Sequence, residues 1–146
     1  MAVGCFCIGT NQVDLKAATR RGIAVFNAPF SNSRSVAELV LAEAILLLRG
    51  VPEKSAKAHR GEWLKSAKNS YEIRGKKLGI IGFGNTGMSL AKRAHAFEMD
   101  IVYNDLREGV NADVAESLGA RHVDKDTLFS TCDFVSISTD LNEHSR

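Results

Sequence analysis

Three glycines in the stretch Lys76–Gly87, KKLGIIGFGNTG, leave this chain few ways to fold. Leu78, Ile80 and Ile81 form a short apolar run of strand length, and Gly82, Gly84 and Gly87 follow in the spacing G-x-G-x-x-G. Leu90, Ala91 and Ala94 then recur at helical spacing, so the glycines stand where a buried strand turns into a helix. That context separates a dinucleotide-binding turn from three chance glycines. Gly82 permits the tight turn, Gly84 lets backbone approach a pyrophosphate, and Gly87 lets the helix pack close to the strand. The N-terminus of the helix offers free N–H groups and positive dipole to phosphates, and the N–H groups of Asn85 and Thr86 face them.

A second strand, Ile101–Tyr103, ends in Asn104 and Asp105, and Asp105 lies 18 residues after Gly87. A carboxylate at about that distance hydrogen-bonds the ribose hydroxyls of the dinucleotide. Asp105 favours NAD over NADP, because a carboxylate repels a 2′-phosphate. Arg107, two residues on, could hold such a phosphate instead. Downstream, 113–118 reads as a short helix, 121–123 as a weak strand, 127–132 as a helical turn and 133–138 as a clear strand. The alternation is that of an α/β fold, a doubly wound parallel sheet.

The N-terminal part is organised differently. Residues 2–8 and 23–26 are apolar runs read as buried strands, joined by a short helix that begins near Asp14 and is closed by Gly22: a β-α-β unit too small to bury a core alone. Ser35-Val36-Ala37-Glu38 reads as a capping box. The helix it opens stays apolar on nearly every face through Leu48. It is shorter than the roughly twenty apolar residues a membrane span needs and carries Glu38 and Glu43, so it is expected between domains or subunits, covered all round. Gly50 ends that helix, Pro52 fits the first turn of a more charged one, and 61–75 reads as a surface connection anchored by Trp63.

Composition excludes several classes of function. The 146 residues carry 19 basic and 17 acidic side chains, a net charge of +2, and the charges are interspersed. Nothing here calls for nucleic acid or an anionic membrane. Cys5, Cys7 and Cys132, an odd number with no secretory signal, read as reduced thiols of a cytoplasmic protein; the first two read as buried strand residues and no metal site is expected. His59, His95, His122 and His144 lack a partner carboxylate in the sequence and read as surface residues, so the chain shows a cofactor turn without its acid–base chemistry.

The stretches GCFCIGTNQVDL (4–15), RGIAVFNAPFSNSRSVAELV (21–40), LLLRGVPE (46–53), AKAHRGEW (56–63) and RGKKLGIIGFGNTG (74–87) closely resemble the D-isomer-specific 2-hydroxyacid dehydrogenases, the first two blocks their phosphoglycerate branch. The resemblance implies a two-domain enzyme with a flavodoxin-like substrate domain, built from both chain ends, and an inserted Rossmann domain. It implies oxidation of D-3-phosphoglycerate to 3-phosphohydroxypyruvate with NAD, the opening step of serine synthesis, in a homo-oligomer. On this reading 1–32 is part of the substrate domain, 33–75 the interdomain helices and connection, and 76–146 an incomplete NAD-binding domain. The Asn85, Thr86 and Asp105 positions would contact NAD, Asn11 would contact the phosphorylated 2-hydroxy acid, and Val36 and Ala37 would begin the helix beside the nicotinamide.

The resemblance also sets expectations about what is missing. The family's catalytic Arg, Glu and His would lie beyond Arg146, and its sheet, in the order 3-2-1-4, would continue past the strand 133–138. Where the family has His-x-Pro after that strand, Ser138-Thr139-Asp140 stands here. The chain is therefore expected to be an internal part of an enzyme, catalytically incomplete alone. The alternative is a non-catalytic NAD-binding or subunit-interaction module that docks through the 36–48 helix.

Overall fold

A computed structural model describes residues 1–139, in which two parallel sheets are each built from strands joined by helices. The first sheet pairs β1 (Ala2–Cys5) with β2 (Ala24–Asn27) through α1 (Leu15–Arg20). Asp14 caps α1 by accepting from the Ala17 N–H at 2.8 Å, and Gly22 leaves it at φ +62°, so both ends follow from local chemistry. Burial here falls short of the sequence reading: only Cys5 and Ala18 are buried, while Phe6 and Phe26 are exposed. β1 stops at Cys5, and Cys7 lies beyond it in a loop, donating its thiol to the Gly9 carbonyl and accepting from Gln12. Two strands under one six-residue helix cannot cover both faces of a sheet.

Next comes α2 (Ser33–Leu48), which begins before the expected capping box, at Asn32, and has no side-chain cap. Because the helix already runs through Ser35, Glu38 does not cap it. Its carboxylate instead takes Arg34 one turn back at 2.6 Å and Arg93 across the neighbouring helix at 3.4 Å. One face of α2, with Ala37 and Leu41 buried and Val40, Ala44, Ile45 and Leu48 partly so, joins the main core. Leu39 and Leu47 on the other side are exposed, so the expected cover on every face is met on one. After α3 (Val51–His59), opened by Gly50 and Pro52, the chain runs without regular structure to residue 76. Trp63 is 84% exposed and anchors nothing; Ile73, buried in the core, does that work.

The second sheet carries β3 (Lys77–Ile81), β4 (Asp100–Asn104), β5 (Arg121–His122) and β6 (Phe134–Ile137), all parallel in the order β5-β4-β3-β6. This is the expected 3-2-1-4 arrangement. The crossovers are α4 (Asn85–Ala96), α5 (Ala112–Ser117) and α6 (Lys125–Thr131). Leu78, Gly79 and Ile80 of β3 are all buried, as a parallel strand covered on both faces must be. Gly79 has no room for a side chain: a Cβ there would lie 2.7 Å from Leu128 Cδ2 and 2.9 Å from Cys132 Sγ. All three cysteines are free thiols, and no helix among the described residues is long and apolar enough to cross a membrane.

Candidate dinucleotide site

The site forms where β3 gives way to α4. Gly82 sits at φ +93°, a conformation that only glycine adopts without strain, and its N–H donates to the Asn104 carbonyl at 2.8 Å. A Cβ at Gly82 would also lie 2.6 Å from Thr139 Cγ2, so the residues after β6 close over the turn from the other side. At Gly87 a Cβ would collide with the Gly82 carbonyl oxygen; this glycine sets how closely α4 meets the end of β3. Gly84 differs. Its backbone is extended, and a Cβ there would meet nothing nearer than Arg107 Nη2 at 3.8 Å. Intramolecular packing does not require glycine at this position, and the room it leaves faces outward from the helix end.

At that end, α4 has no side-chain cap, and its first internal bond runs from the Met88 N–H to the Gly84 carbonyl at 2.8 Å. Among the described residues, the N–H groups of Asn85, Thr86 and Gly87 donate no hydrogen bond. Three unsatisfied donors at the positive end of a 12-residue helix form an anion ledge.

Asp105 stands at the end of the neighbouring strand, its side chain only 7% exposed. It is wired into the turn: the Phe83 N–H donates to Oδ2 at 2.8 Å and the Arg107 N–H to Oδ1 at 3.0 Å. Burial pushes the Asp105 carboxyl up, but the Arg107 guanidinium and these two backbone donors outweigh it and hold the group below the ordinary aspartate range. The carboxylate is therefore ionised at neutral pH. Phe83 is clamped from both sides, since its carbonyl accepts from Asn111 Nδ2 at 2.7 Å while its ring stacks on Tyr103 with centroids 4.1 Å apart. The sequence reading gave no role to Asn111, whose left-handed backbone (φ +51°) appears only in the structure, or to Phe83.

The structure thus brings Gly82, Gly84, Asn85, Thr86, Gly87 and Asp105 to one place. Asn11 lies in the exposed loop after β1 and shares no hydrogen bond or ion pair with them. Ala37 is fully buried in the core, which leaves Val36 as the accessible member of that pair. His59, on α3, bonds the Ser55 carbonyl; His95 is in the last turn of α4; and His122 lies edge-on to Tyr103, so none of the three is hydrogen-bonded to the turn. All three are exposed, as expected, and His144 lies outside the described residues. A cleft of about 350 Å³ lined by Arg49, Tyr71, Arg74 and Phe97 lies at the far end of α4, away from the glycine turn.

Comparison with known proteins agrees with this geometry. Residues 41–146 match the family model described as "D-isomer specific 2-hydroxyacid dehydrogenase, NAD binding domain". The chain is 55% identical over 140 residues to a D-3-phosphoglycerate dehydrogenase of Haemophilus influenzae, covering 94% of this chain and 32% of that protein. Over 106 residues it is 64% identical to the D-3-phosphoglycerate dehydrogenase of Escherichia coli, covering 73% of this chain and 26% of that one. The chain therefore spans about a third or less of the length of these relatives. Among solved structures, the NAD-dependent formate dehydrogenase of Staphylococcus aureus in complex with NAD superposes with a TM-score of 0.84 at 28% identity, over 98% of this chain and 42% of that one. The chain belongs to the D-isomer-specific 2-hydroxyacid dehydrogenases and carries their NAD-binding domain.

Proposed function

We propose that this chain is the NAD-binding part of an enzyme that oxidises D-3-phosphoglycerate to 3-phosphohydroxypyruvate, and that the glycine turn and Asp105 are its cofactor contacts. The observation that carries the reading is the part-buried, ionised Asp105 wired to a turn whose helix offers three unsatisfied N–H groups. Those groups fit the two ends of an adenosine diphosphate moiety. The N–H groups of Asn85, Thr86 and Gly87 would take the pyrophosphate, with Gly84 leaving room for it, and Asp105 would accept from the ribose hydroxyls. Bound there, NAD supplies the hydride acceptor of the reaction; the described residues bind and orient it.

The identity to D-3-phosphoglycerate dehydrogenases supports the phosphorylated 2-hydroxy acid as substrate, with Asn11 as a contact. It also supports dividing the chain into part of a substrate domain (1–32), interdomain helices and connection (33–75) and an NAD-binding unit (76–146), within a homo-oligomer.

Calorimetric titration with NADH tests the cofactor contacts. Losing a hydrogen-bonded carboxylate acceptor should weaken binding by about tenfold or more in Asp105→Ala. Equal affinity of wild type and Asp105→Ala would remove Asp105 from the site.

A further inference from the structure

Asp105 already has a full set of partners. A carboxylate offers about four acceptor positions. On Oδ2, one is taken by the Phe83 N–H at 2.8 Å and one by Arg107 Nη2 at 3.3 Å; on Oδ1, one by the Arg107 N–H at 3.0 Å and one by Arg107 Nε at 3.1 Å. The two backbone donors cannot leave without unmaking the turn. The two guanidinium donors can: the Arg107 side chain is 67% exposed and has no other hydrogen-bond partner among the described residues. A ribose diol needs two acceptor positions on this carboxylate, and the only two it can gain are those the guanidinium now fills. The same guanidinium is the nearest group that a Cβ at Gly84 would meet, at 3.8 Å, so it borders the open side of the turn as well as Asp105.

We propose that Arg107 is a movable selectivity arm of the dinucleotide site, swinging off Asp105 to admit the ribose diol of NADH and staying docked to receive the 2′-phosphate of NADPH, so that the chain binds both. The physical basis is charge. A bare carboxylate repels a 2′-phosphate, whereas a carboxylate covered by a guanidinium is locally neutral and presents the planar, charged donors that phosphate prefers. NADH binding, in contrast, must first break the ion pair. Arg107 therefore works against NADH and for NADPH, and compresses the preference that Asp105 alone would set. This rests on the dinucleotide reading of the site.

The test is calorimetric titration of the chain with NADH and NADPH, for wild type, Arg107→Ala and Arg107→Gln. Wild type is expected to bind both, NADH the tighter. Each variant should lose NADPH affinity by about tenfold or more, the effect of one charge-assisted pair, while NADH affinity holds or improves. The wild-type NADPH affinity should also fall more steeply with added salt than that of the variants. NADH binding with an NADPH-to-NADH ratio indifferent to Arg107, or with no NADPH binding by wild type, overturns this proposal and leaves the NAD reading standing. Binding of neither dinucleotide by wild type overturns both.

Discussion

Asn111 shows how a single residue can brace a turn from a distant loop. Its backbone is left-handed at φ +51°, which asparagine tolerates better than most residues, and its side chain donates to the Phe83 carbonyl 28 positions away in sequence. Removing that donor leaves a part-buried carbonyl unpaired, a cost of about 1–3 kcal/mol, and an alanine at that φ adds about 1–2 kcal/mol more. Asn111→Ala should therefore unfold at clearly lower urea, and Asn111→Gly, free of the backbone strain, should fall between it and wild type. Identical midpoints for all three proteins would show that the Phe83 clamp contributes nothing to stability. The clamp could not be read from sequence, because it depends on which loop end meets which; Arg107 was visible two residues after Asp105, but not that its guanidinium docks on that carboxylate. Gly82, Gly87 and Asp105 could be read, because the backbone geometry of the turn and the distance to the next strand end constrain residue type at those positions.

Among the elements, α6 is placed by an absence. Leu128 and Cys132 rest where a side chain at Gly79 would be, so the helix lies closer to β3 than any other residue there would allow. Gly79→Ala should cost about 1–3 kcal/mol through overpacking. Leu128→Ala should relieve part of that cost, so that the double variant is more stable than the two single losses summed; strictly additive losses would contradict the close contact. The sequence reading gave Gly79 no role, since a glycine within an apolar run signals close approach only once the approaching helix is known. The capping box failed for a related reason. Ser35 and Glu38 have the right spacing, but the helix already runs through Ser35, which leaves the Glu38 carboxylate to Arg34 and Arg93.

For the whole molecule, two sheets share one chain but not one core. The described buried cluster is drawn from α2, the connection near Ile73, the second sheet and its helices α4 and α5, while the first β-α-β unit contributes only Cys5 and Ala18 to the buried set. Sequence reading overstated the first unit because apolar runs mark what could be buried, not what covers it. The alternation of strands and helices gave the parallel sheet and the place of the turn, and the family resemblance gave the strand order that the structure has. The central claim is that the C-terminal end of this sheet holds NAD through the α4 N-terminus and Asp105. The most direct measurement is the change in backbone amide resonances of the isotope-labelled chain as NADH is added. The largest shifts should fall on Phe83 to Met88 and around Asp105, saturating together, with little change in β1, α1 and β2; saturable shifts centred elsewhere, or none, would contradict the account.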